Sequence, residues 1–148
     1  IQMSFSENGV SSSVDSYLND VNVPVSVAIN VSNVRYSASA PTAATTKFDA
    51  SNKEKALEKI MIQKWIAMFP NGMEAWTEWR RTGYPKLNPV HINNGAAQGI
   101  TKETGIRRMI YPSSFSQSDK DAENLKDALA KLGGEDKATT KLWWDCKK

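Results

Sequence analysis

The chain has 148 residues, enough for one domain with a real core, since a chain of this size hides roughly two-thirds of its unfolded surface. Nineteen basic residues stand against sixteen acidic ones for a net charge of +3, but the signs are interspersed, so a nucleic-acid surface is not implied. No run of about 18 apolar residues occurs, no basic-then-apolar leader opens the chain, and the single cysteine, Cys146, leaves no internal disulfide framework or cysteine-based metal site.

Hydrophobic residues make up 40 % of the chain, and Ser, Asn, Ala and Thr crowd its first part. The chain opens at Ile1 rather than methionine. Together these features lead us to expect the C-terminal piece of a longer protein, with its first segment separated from the surfaces it packs on and only marginal stability by itself.

In chain order, Val23, Val25, Val27, Ile29 and Val31 alternate with polar or small residues at the period of a half-buried strand, predicted over 23–31. The phase breaks at Ser32 and Asn33, where a bulge or turn would re-aim the chain. Residues 37–46, SASAPTAATT, hold too few large apolar groups to bury and read as a flexible connection. Ser51 and Glu54 then form a capping box, and Leu57, Ile60, Met61, Trp65 and Met68 follow at helical spacing up to the Pro70-Asn71-Gly72 turn. Asn71 and Glu74 repeat the capping pattern. A second helix carries Met73, Trp76 and Trp79 to Gly83, beyond which Pro85 forbids continuation. The pair is an αα-hairpin, the unit from which helical repeat proteins are stacked. A long Gly/Asn/Pro-rich loop runs over 86–105, the stretch IRRMIYP at 106–112 reads as extended, and Ser118 and Asp121 cap a third helix with a stripe of Ala122, Leu125, Leu129 and Leu132. The tail TKLWWDCKK ends the chain.

The chemistry concentrates in EAWTEWRRTGYP, residues 74–85. Glu74 and Glu78, flanked by tryptophans, invite a glycosidase reading, but glycosidase carboxylates face each other across a cleft, whereas neighbours on one helix face point in parallel. Glu78 fits better as a partner of Arg81 at i+3 or of another arginine. Arg80 and Arg81, with Arg107 and Arg108, offer an anion site, yet no glycine-rich nest accompanies them; Trp76 and Arg80 at i,i+4 suit a guanidinium laid over an indole, and the other forks suit clamping of loop carbonyls. His91 has no companion at metal-ligand spacing, and Ser11, Ser12, Ser13, Ser113 and Ser114 lack a nucleophile-elbow context. Trp65, Trp76 and Trp79 lie on or beside helix stripes and are expected to be buried. Of Trp143 and Trp144, one at least is expected to be exposed or to cover a neighbouring element.

The segments KALEKIMIQKWIAMFPNGMEAWTEWRRTGYPKL, GIRRMIYP and LGGEDKATTKLWWD, in this order and spacing from about residue 46 to 145, closely resemble the C-terminal part of the SusD/RagB family of nutrient-binding outer-membrane lipoproteins of Bacteroidota, in its SusD-like branch. The first forty-odd residues match weakly, chiefly at GV and the later DSYL. The resemblance implies a mainly α fold: a tetratricopeptide-like helical scaffold with long irregular loops and minor β, divided here into a poorly matched polar or extended segment, 1–46, and a SusD-like helical region, 47–148. It implies no catalysis, no cofactor and no metal. It implies a surface lipoprotein, held by a lipidated N-terminal cysteine that Cys146 cannot be, which captures oligosaccharide or peptide for a SusC-like TonB-dependent transporter. Ligand contacts would lie mostly upstream of this chain, so Trp65, Trp76, Trp79, Arg80, Arg81, Tyr84, Arg107, Arg108, Tyr111, Trp143 and Trp144 are expected to be structural. Two other classes stay open: a secreted glycan-processing enzyme domain, which would need facing carboxylates in a cleft, and a helical interaction module, which would need an exposed apolar groove.

Overall fold

The computed structural model describes residues 1–10, 13–31 and 34–145. The expectations for Ser11, Ser12, the Ser32-Asn33 break and Cys146 fall outside the described residues. The chain divides into two compact units, Ile1–Asn88 and Pro89–Lys148.

The first unit runs α1 (Gln2–Glu7), α2 (Val14–Leu18), β1 (Val27–Val31), β2 (Val34–Ala38), α3 (Lys53–Ala67) and α4 (Gly72–Thr82). Nothing in the local pattern announced α1 and α2. Both are a turn or two long, neither has a side-chain N-cap bond, and a tertiary contact holds them instead: the Phe5 and Tyr17 rings lie 5.5 Å apart, and the Tyr17 phenol donates to Gln63 Oε1 on α3 at 3.1 Å. β1 and β2 pair antiparallel, with Val27 opposite Ala38 and Ile29 opposite Tyr36, so ladder bonding is confined to the second half of the alternating run.

The segment over 37–46 is not a loose connection. Its hydroxyls bind the side of α3: Thr42 Oγ1 donates to Glu58 Oε1, Thr42 Oγ1 also accepts from Ala44 N at 3.0 Å, and Lys59 Nζ donates to Thr45 Oγ1 at 3.1 Å and to the Lys47 carbonyl. Lys47 N and Thr46 Oγ1 both reach the Asp20 carbonyl. A sequence with few apolar groups can thus be seated by hydrogen bonds from small polar residues, a signal that hydrophobic periodicity does not contain.

The helix hairpin follows the expected plan, with one shift. Asn52, rather than Ser51, caps α3, its side chain accepting from Lys55 N at 3.0 Å. Ser51 is held one position earlier, where Asp49 accepts from both its N–H and its hydroxyl. Asn71 caps α4 by accepting from Glu74 N at 3.2 Å, and Gly83 ends that helix at φ 74°, a left-handed conformation that a side chain would strain. Ala56, Met61, Ala75 and Tyr84 are the buried hydrophobic residues among those described in this unit. Ile60, counted in the expected stripe, is 51 % exposed, and Met73 is 70 % exposed. Apolar residues lie around much of α3, at Leu57, Ile60, Met61, Ile62, Trp65 and Ile66, which is the pattern of a helix packed on more than one side. One neighbour, α4, covers only one of those sides.

In the second unit the long loop carries a single 3-10 turn, Ala96–Gln98, and is closed by its own polar groups: Asn93 Nδ2 donates to the Ile100 carbonyl at 2.6 Å, and Gly95 N donates to Asn93 Oδ1 at 2.9 Å. Residues 106–112 are irregular rather than strand: the Arg107 and Arg108 amides bond to the Ala138 carbonyl and the Tyr111 amide faces the Asp136 carboxylate, in place of a ladder. A second 3-10 turn, Ser113–Ser116, leads into α5 (Asp119–Leu132), capped by Ser118 accepting from Asp121 N at 3.2 Å and ended by Gly133 at φ 76°. The stripe of Ala122, Leu125, Leu129 and Leu132 is half-buried.

The cap at Asn71 decides whether the second helix starts where the hairpin needs it. Asn71→Ala is expected to cost about 1 kcal/mol in chemical denaturation, while Asn71→Asp, which keeps the acceptor and adds a favourable charge at the helix N-terminus, holds or exceeds the parent stability. Equal losses for both variants would contradict a capping role.

Candidate functional site

The residues of EAWTEWRRTGYP belong to α4 and the turn after it. Glu74 and Glu78, one helical turn apart, converge on one cation: Lys64 Nζ of α3 lies 3.5 Å from Glu74 Oε1 and 2.9 Å from Glu78 Oε1. Arg81 adds Nη2 to Glu78 Oε2 at 2.5 Å and Nε to the same oxygen at 3.1 Å. Burial by itself would raise the Glu78 carboxyl, but the hydrogen bonds and charges of Arg81 and Lys64 together outweigh it and hold the group below its ordinary value. The hydrogen bond to Glu78 in turn raises Lys64. A general acid needs the opposite shift, so Glu78 is arranged as an ion-pair partner across the helix pair.

Arg80, on the opposite side of α4, is buried. Its guanidinium carbon sits 3.5 Å from the centroid of the Trp76 ring, Nε donates to the Trp76 carbonyl at 3.4 Å, and Nη2 reaches Thr77 Oγ1 at 3.3 Å. A guanidinium tolerates this site because it is weakly hydrated and an indole face offers it negative potential. Trp65, Trp76 and Trp79, expected to be buried, are half-buried.

The TGYP end of the segment is a latch. Thr82 Oγ1 donates to the Glu78 carbonyl at 2.7 Å and accepts from Tyr84 N at 3.2 Å. Gly83 reverses the chain, and the buried Tyr84 then points its phenol at the first turn of α3, donating to Glu54 Oε1 at 2.8 Å. Burial first, then that hydrogen bond and the charges of Glu54 and Glu58, push the phenol up to about 12. It therefore remains a donor at any ordinary pH.

The second unit has its own clamp. Arg107 closes a bidentate pair on Asp145, with Nε to Oδ2 at 2.7 Å and Nη2 to Oδ1, and both residues are buried. The Ala138 carbonyl accepts from Arg107 N at 2.8 Å and Arg108 N at 3.1 Å. Arg108 Nη1 donates to Asp136 Oδ1, whose carboxylate also faces Tyr111 N, and the Arg108 guanidinium lies 4.9 Å from the Tyr111 ring centroid. At the end of the tail, Asp145 N closes a turn on the Leu142 carbonyl at 2.9 Å; on it Trp143 is 90 % exposed and Trp144 half-buried.

Arg80 and Arg81 lie in the first unit and Arg107 and Arg108 in the second, and each pair is engaged within its own unit. The partners that sequence reading missed are Lys64, Glu54, Thr82, Asp136 and Asp145. Two signals were available. A buried arginine demands a carboxylate or an aromatic face, and Asp145 follows directly on the paired tryptophans, but a separation of 38 positions between Arg107 and Asp145 gives no local pattern to read. His91 lies exposed in the long loop. Among the described residues no group of three or more His, Cys, Asp or Glu is gathered to hold a metal ion, and no helix is long and apolar enough to cross a membrane.

Residues 1–145 match the family described as SusD-like, the SusD and RagB outer membrane lipoproteins. The chain belongs to that family, and the match takes in the first segment as well as the part whose motifs are distinctive. Among solved structures, a SusD homologue from Bacteroides ovatus is 38 % identical with a TM-score of 0.87, over 99 % of this chain and 31 % of that one. A SusD homologue from Bacteroides uniformis is 39 % identical with a TM-score of 0.86, over 99 % and 30 % of the two chains. A chitin-binding SusD homologue from Flavobacterium johnsoniae is 33 % identical with a TM-score of 0.81, over 100 % and 30 %. No curated protein matches the chain. The chain thus spans about three-tenths of the length of the structures it matches, and its mainly helical, tetratricopeptide-like class with minor β is the one expected.

Two predictions follow from the ion pairs. Asp145→Ala, which strands a buried guanidinium, is expected to cost about 3–5 kcal/mol by chemical denaturation, and the double change Arg107→Met with Asp145→Leu less than either single change; single losses near zero would show that the pair does not hold the tail. Because Glu78 is held below 4.5, its ion pairs add stability that is present above the ordinary glutamate value and lost as pH falls through the lower folded value. The stability difference between the parent and Glu78→Gln should therefore be full at neutral pH and shrink as pH falls below the ordinary glutamate value, whereas a difference that stays constant throughout the acid range would contradict the assignment.

Proposed function

We propose that this chain is the scaffold portion of a non-catalytic, surface-exposed outer-membrane lipoprotein that captures a nutrient, an oligosaccharide in the first instance, and hands it to a SusC-like TonB-dependent transporter. The observation that carries the reading is the likeness, over the whole of this chain, to a homologue whose own description is chitin-binding. The chemistry of the chain agrees with it. The two carboxylates that a sugar-cleaving reading would use share Lys64 instead of facing each other across a cleft, and Glu78 is held below its ordinary value, the opposite of what a general acid needs. Among the residues of the distinctive motifs, Trp76, Arg80, Arg81 and Tyr84 are engaged within the helix hairpin, and Arg107, Arg108 and Tyr111 in the clamp of the second unit; on this reading ligand contacts fall mostly to the further length that the relatives possess. The lipid anchor, on this reading, is an N-terminal cysteine of that further length.

The test uses a protein of the relatives' full length that contains this segment, incubated with chitin oligosaccharides and with a panel of other glycans and peptides. Calorimetry follows binding and chromatography follows product. Binding without turnover is expected, unchanged in Glu74→Gln and Glu78→Gln. Cleavage products that disappear in either variant, with circular dichroism unchanged, would overturn the non-catalytic reading.

A further inference from the structure

We draw no further inference here: the strongest candidate, the exposed Trp143 indole on the tail turn over 142–145 that the Arg107–Asp145 pair anchors, is an apolar face and nothing in the structure shows what covers it.

Discussion

A guanidinium withdrawn from water is costly unless a carboxylate or an aromatic face goes with it, and this constraint organises both units. In the second unit Arg107 and Asp145 satisfy each other, and the pairing fixes two segments 38 positions apart. Beside it, the Arg107 and Arg108 amides lie against the Ala138 carbonyl, and Arg108 meets Asp136. With Ala138 the only buried hydrophobic residue among the described residues there, polar closure takes the place of a large apolar core. In the first unit Arg80 uses the other solution, an indole, and leaves Arg81 on the outer face for Glu78.

The same economy explains how the distinctive segment connects sequence to architecture. Asn71 sets the start of α4 and Gly83 its end, so the helix length places Glu74 and Glu78 against Lys64 and places Tyr84 over Glu54. Contacts at the two ends of the hairpin, Lys64 with Glu74 and Glu78 near the connecting turn and Tyr84 with Glu54 at the far end, fix the register of the pair. Such a hairpin suits a scaffold stacked from helix pairs, in which each pair finds the rest of its burial on its neighbours.

The parts of this fold legible in the sequence are those with local causes. Caps at Asn71 and Ser118, stops at Gly83 and Gly133, the Trp76–Arg80 stack and the Glu78–Arg81 pair all connect residues within four positions, where helix geometry dictates who meets whom. Asp145, Asp136 and Glu54 were not legible as partners, because long-range pairing leaves no periodic trace. The strapping of 37–46 was missed for a related reason: hydroxyls that bind a helix flank look, in sequence, like a linker. Ile60 and Met73 show the converse, an apolar pattern that states a need for burial without naming the neighbour. Family resemblance supplied the scaffold and the proposed role, while the residues supplied the reason for proposing a structural role for the conspicuous motif.

On the proposed function, the motif holds helices together and does not handle ligand. A double-mutant cycle on Glu54→Gln and Tyr84→Phe, in a protein of the relatives' full length, tests it most directly when stability and glycan affinity are both measured. The account predicts a coupling of about 1–2 kcal/mol in stability, as for a hydrogen bond to a charged group, with affinity unchanged. Additive effects on stability together with a loss of affinity in either single variant would contradict it.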